Sequence, residues 1–199
     1  MGNSEPAKED SYPALILDLN DQLYRALSRY AGRIRDLLAT PAAGANPDLA
    51  GSIDDLLGAV YALIQAKHHQ FKDRDRPINI TPVAQRAGRI ASGRMRTNGQ
   101  WIAGFYFNNA LFRTAAIYHR ILKIVVGKKA HMPVLLPKAQ ALYPHWTNCK
   151  LDLVHNQVND LKHTPRGVHD QRTVTYDDAV AAVGELLDLI EASTAEKAP

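Results

Sequence analysis

Apolar residues recur along most of this chain at steps of three and four, the spacing that turns one face of an α-helix toward a core. Ile16, Leu19, Leu23, Leu27, Tyr30, Ile34 and Leu37 keep that period and predict one helix over roughly 13–39. The stretch "TPAAGANP" (40–47), with two prolines and a glycine, ends it. Ser52 is placed to cap a second helix, roughly 52–71, whose inner face is Ile53, Leu56, Leu57, Val60 and Ile64. The third, 98–127, is apolar nearly all round, which marks the central and most buried helix of a bundle. "KKAHMPVLLP" (128–137) reads as a connector because of its two prolines.

A fourth helix is expected from about Pro144 to His163, with Leu151, Val154, Val158 and Leu161 as its core stripe. The last opens at a capping box, Thr175 to Asp178, and carries Val180, Val183, Leu187 and Ile190 inward. The stretch 72–98 is basic and weakly patterned; Pro82 could open a short helix through Met95, which Gly88 and Gly93 weaken. No strand pattern and no internal repeat is visible. The expectation is an all-α bundle of four to five helices in one domain over 13–195, behind a disordered polar leader at 1–12 and ahead of a frayed tail.

Composition narrows the classes. A chain of 199 residues suits one domain with a substantial core. Its longest apolar runs are broken by Asn, Arg, His or Lys, so no transmembrane helix is expected, and "MGNSEPAKEDSY" has no apolar core of a signal peptide. Gly2 follows Met1, but Glu5-Pro6 suits a myristoylation site poorly. Cys149 stands alone, which rules out an intramolecular disulfide and a multi-cysteine zinc site. The expected address is cytoplasmic.

The net charge of +4 is unevenly spread: between Lys67 and Arg96 eight Lys/Arg face only Asp73 and Asp75, a surplus of six. A local surplus of that kind suits a polyanion, and Arg74, Arg76, Arg86 and Arg89 are its candidate nucleic-acid contacts. A solvated charged loop reads the same way.

The densest chemistry lies in "HNQVNDLKHTPRG" (155–167). Steps of four put His155, Asn159 and His163 along one helix face, two turns or about 12 Å from first to last, too far for one metal ion. No metal motif completes a site around them, so no metal and no cofactor is expected. An imidazole beside Lys162 at a helix end suits proton transfer or phosphate binding; a surface histidine answering terminal carbonyls is the plainer alternative.

In the 98–127 helix, Asn109 and Arg113 are four apart, and Tyr106 and Arg120 extend the stripe. Arg113 is expected either to form a salt bridge to a carboxylate such as Asp152 or Asp160, or to line a polar groove with His163 and hold a phosphate. The aromatics Trp101, Phe105, Tyr106 and Phe107 are expected in the core. That helix could equally line a small-molecule pocket.

A penultimate helix ending in "VNDLKHTPRG", followed by a short loop and a final amphipathic helix, resembles the HEPN domains. The resemblance covers about the last hundred residues. It implies an all-α, usually dimeric, cytoplasmic bacterial or archaeal protein, many of whose relatives are metal-independent RNases of toxin–antitoxin and phage-defence systems. The family motif is an Arg followed a few residues later by a His at that helix end. His163 matches the His, and Asn159 with Lys162 resembles its polar filling. The Arg has no counterpart at Asn156, Gln157 or Val158; the Arg113-to-His119 spacing in "RTAAIYH" lies inside the apolar helix and is read as coincidental.

The resemblance implies that His163 acts as general acid or base at a ribose 2′-hydroxyl or leaving oxygen, that Arg113 or Lys162 steadies the phosphorane, and that Asn159 orients it. It implies a homodimer, an RNA ligand and an antitoxin-like partner protein. A non-catalytic dimeric interaction module is the alternative.

Overall fold

The computed structural model describes residues 22–70, 99–163 and 174–195, and every regular element within them is helical. There are seven helices among the described residues: α1 (Gln22–Leu38), α2 (Pro41–Ala45), α3 (Pro47–Gln70), α4 (Gly99–Val126), α5 (Met132–Leu142), α6 (Cys149–His163) and α7 (Tyr176–Ala195). The all-α expectation holds, and the count exceeds four to five because two stretches read as connectors are themselves helical. The leader, the segment 71–98 with its expected short helix, and residues 164–173 lie outside the described residues.

α2 forms because Thr40 caps it, accepting from the Ala43 amide, while Pro41 sits where no amide partner is needed. α5 survives the two prolines that suggested a connector. Pro133 stands in its first turn, and the amides of Val134 and Leu135 both return to the His131 carbonyl. Leu135 and Ala139, four apart and fully buried, then anchor α5 on α4.

α3 starts earlier than expected. Its N-cap is Asn46, whose side chain accepts from the Leu49 amide at 3.1 Å, with Pro47 following. Ser52 is no cap: it is buried within the helix and donates back to the Asp48 carbonyl. The capping box of α7 is as expected, with Asp178 N–H to Thr175 Oγ1 at 3.1 Å and Thr175 N–H to Asp178 Oδ2 at 3.0 Å.

α4 is the hub. It packs along α3 and also touches α5, α6 and α7, burying Phe107, Leu111, Ile117, Tyr118, Ile121 and Leu122 completely. Burial of each such side chain contributes about 1.5–3 kcal/mol. α7 closes the opposite side against α1, α3, α4 and α6 through Val183, Leu186, Leu187 and Ile190. Arg33 of α1 ties the two terminal helices together, forking to Glu191 at 2.7 and 2.8 Å and to Asp188 at 2.6 Å. Pro47–His69 is long and apolar enough to cross a membrane by length and composition, which amends the expectation from sequence; half of it is buried inside the bundle.

The start of α6 is held from a distance. The carboxylate of Glu185, on α7, accepts the Lys150 and Leu151 amides at 2.9 Å each. Lys150 itself reaches Asp178 at 2.6 Å.

Candidate functional site

The helix α6 that carries the sequence motif runs antiparallel to α4, since Tyr118 meets Asp152 and His155 while Phe112 meets Lys162. The His155–Asn159–His163 face does not lie uniformly in solvent. His155 is half-buried, its ring edge-on to Tyr118 at 6.3 Å, and burial together with His119 and Lys162 lowers its pKa, leaving it neutral near pH 7. Asn159 is exposed, and Lys162 is exposed with its ammonium over the Phe112 ring at 5.8 Å. His163 is the last residue of α6, and its side chain lies outside the described residues, as do Arg74, Arg76, Arg86 and Arg89.

Arg113 takes a different direction from the one expected. Its Nε donates to Asn109 at 2.9 Å, and its guanidinium faces Asp55 on α3 at 3.7 Å, beside Gly58. Asp55 also accepts from Arg120, so one carboxylate answers two guanidiniums. The salt bridge expected of Arg113 is present, with Asp55 as its carboxylate; of the two offered as examples, both on α6, Asp152 is held by Asn148 and Tyr118. Among the described residues no hydrogen bond or ion pair joins Arg113 to Asn159 or Lys162. Phe112, one position before Arg113 and hence turned by about 100° around α4, is what faces α6.

Of the aromatics expected in the core, Phe107 is fully buried, Tyr106 is partly buried and stacks on His69 at 5.6 Å, and Phe105 is exposed.

Sequence reading passed over two arrangements. One is a polar cluster where α4, α5 and α6 meet. Asn148 donates to Asp152 at 2.7 Å, Gln140 donates to Asn148 at 2.9 Å, and Tyr118 donates to Asp152 at 3.3 Å. Burial and the neighbouring Asp152 push the Tyr118 phenol up, so it stays protonated and acts as a donor. With each group answered by another, the cluster reads as a structural network.

The other is a groove of about 500 Å³ between the C-terminal end of α4 and the start of α3. Arg120, Lys123, Lys128 and Lys129 line it against Asp48, four cations to one anion. Gly127, with a φ of 67°, ends α4 in the left-handed conformation and folds the chain back, so that the Lys128 amide bonds the Lys123 carbonyl. That turn brings Lys128 and Lys129 round to the side already carrying Arg120 and Lys123. On α5, Lys138 is near enough to Lys128 for the like charge to lower its pKa. The sequence signal was present: Arg120 and Lys123 are three apart, and a glycine then precedes a lysine pair.

Such a groove can hold a phosphate or another anion with several cations at once. No group of three or more His, Cys, Asp or Glu comes together as a metal site among the described residues. Comparison with protein-family models, with curated proteins and with solved structures finds no match.

Proposed function

We propose that this protein binds RNA by its phosphate backbone, as a HEPN-like helical protein, and that His163 acts on the bound strand. The observation that carries the reading is the cationic groove of Arg120, Lys123, Lys128 and Lys129, with a surplus of three over Asp48. Contacts to phosphate oxygens supply sequence-independent affinity, and their number sets how steeply binding falls with salt. The groove lies toward the end of α4, whereas Lys162 and the end of α6 lie near Phe112. From Phe112 to Ile124 the helical rise is about 18 Å, so the two places would engage one strand at separate points. The exposed Asn159 and Lys162 beside His163 fit a strand passing the end of α6.

The test has two arms. Binding of a mixed single-stranded RNA pool should weaken steeply with salt, and Lys123→Gln with Lys128→Gln should flatten the slope by roughly 0.7 per lost contact. Cleavage of the pool in EDTA, abolished by His163→Ala with folding unchanged, would establish a metal-independent RNase. Binding without dependence on salt would remove the RNA reading, and salt-dependent binding with no cleavage by either protein would leave a non-catalytic RNA binder.

A non-catalytic dimeric interaction module is the second reading, and one observation favours it. Val134 and Leu142, each about half exposed at 48% and 51%, are large apolar side chains left uncovered near the two ends of α5. Light scattering of Val134→Glu beside the unaltered protein tests it: a shift from dimer to monomer supports the module, and an unchanged mass counts against it.

A further inference from the structure

The cationic groove has a neighbour of opposite character. A second cavity, of about 390 Å³, is lined by the apolar Pro41, Ala42, Ala45, Leu49, Ile124 and Val125 and by the polar Asn46, Ser193 and Thr194. Ile124 belongs to both cavities, and the start of α3 divides between them: Asn46 and Leu49 line one, Pro47 and Asp48 the other. We infer that the two form one site for a single-chain amphiphile, an anionic head held by Lys123, Lys128 and Lys129 and an aliphatic body laid over Ile124 into the second cavity.

The second cavity favours an apolar ligand because most of its lining is aliphatic and both of its hydroxyl protons are already donated to backbone carbonyls. Ser193 donates to the Ile190 carbonyl at 2.8 Å, Thr194 to the Ile190 carbonyl at 3.0 Å, and the Asn46 side-chain oxygen takes the Leu49 amide. A nucleobase, whose edges need donors and acceptors, would find few there; an alkyl chain needs none. The walls are aliphatic, and each cavity falls within the range of about 300–1,000 Å³ typical of ligand sites.

The head group is set by charge. Lys123, Lys128 and Lys129 converge on one groove against Asp48, and Lys138 adds a like charge near Lys128, a repulsion that a bound anion would relieve. Arg120 is already drawn to Asp55, which leaves the lysines as the principal acceptors of a new anion. Carboxylate and phosphate monoester heads share the chemistry required. This ligand goes beyond RNA binding but uses the same cations, so the two ligands exclude each other.

Isothermal titration of the full chain with decanoate, below its micelle concentration, tests the site. Decanoate should bind, and affinity should fall about fourfold for each methylene removed on going to hexanoate. Lys123→Glu should weaken it at least tenfold, as should Ala45→Phe, which fills the apolar cavity from a solvent-facing position and leaves the circular dichroism unchanged. Equal affinity for decanoate and hexanoate, indifference to Ala45→Phe, or uptake only by anionic phosphatidylglycerol vesicles and not by the monomer would each overturn the inference. Ala45→Phe should leave RNA binding intact whereas Lys123→Glu weakens it. If the unaltered protein binds RNA but not decanoate, this site alone is rejected; if it binds decanoate but not RNA, the RNA reading alone is rejected.

Discussion

Glu185→Ala removes the only side-chain acceptor described for the first amides of α6. In the intact protein its two carboxylate oxygens take the Lys150 amide at 2.9 and 3.2 Å and the Leu151 amide at 2.9 Å. Loss of an N-terminal cap ordinarily costs about 1 kcal/mol and at most about 2. Ionised acceptors make bonds roughly twice as strong as neutral ones, which places the loss at the upper end. Against it stands the cost of holding the charge: burial, with the neighbouring Asp152, raises the Glu185 pKa in spite of the two amides. The balance is about 1–2 kcal/mol, or about 2–8 °C in Tm for a chain of this size. Thermal unfolding followed by circular dichroism reads it, with Glu185→Gln as the partner variant that keeps an uncharged acceptor and should lose less than half as much.

The pH dependence follows from the raised pKa. A carboxyl whose folded value exceeds its unfolded value of about 4.5 contributes stability that is fully present below that value and is lost as pH rises through the folded one. The advantage of Glu185 over Gln should therefore grow on acidification. A Glu185→Ala protein as stable as the parent, or a Gln variant worse than the Ala variant, would refute the capping argument.

Two glycines should behave oppositely. A Cβ at Gly184 would come within 2.5 Å of the Tyr30 hydroxyl and 3.1 Å of its ring carbon, so Gly184→Ala should destabilise by about 1–3 kcal/mol in urea melts. At Gly58 the obstacle is the Arg113 guanidinium at 2.7 Å, the flexible end of a half-exposed chain, and the gain in helix propensity of about 1 kcal/mol should leave Gly58→Ala neutral or better. Arg33→Ala should cost about 1 kcal/mol, shrinking in roughly 1 M salt as the ion pairs to Glu191 and Asp188 are screened; a cost independent of salt would point to lost packing instead. His155, its pKa lowered chiefly by burial, contributes stability present above the unfolded value of about 6.5 and lost as pH falls through the folded one. By NMR its imidazole should titrate below 6.5, His155→Gln should flatten the acid-side loss, and a titration at or above 6.5 would contradict the half-buried placement.

The period of the apolar residues made the long helices legible, because α3, α4, α6 and α7 bury stripes that repeat every three or four positions. The capping box at Thr175 was legible for the same local reason. What failed was non-local or stood at an exception to a local rule. Pro133 and Pro137 argue against a helix one at a time, yet α5 is fixed by Leu135 and Ala139 against α4. Arg113 could be seen to need an acid, but Asp55 was one carboxylate among many until α3 was placed beside α4. Glu185 caps a helix through the Lys150 amide, 35 residues before it, a pairing no periodicity encodes. The groove was missed because Arg120 was placed on a helix stripe and Lys128 and Lys129 in a connector, which the turn at Gly127 brings together with Lys123.

Gly127 has nothing within 4 Å of the place where a side chain would stand, so its requirement is purely torsional. An L-residue there would cost about 1–2 kcal/mol for the left-handed backbone, small beside the stability of a domain. The larger effect would be on aim: a relaxed turn would carry Lys128 and Lys129 away from Arg120 and Lys123 without removing a single charge. A Gly127→Val protein would thus keep its isoelectric point, its helices and its four cations, and lose their convergence. In a mutational survey such a position would score as a ligand contact although it touches no ligand, because the recognition surface is steered from one backbone angle.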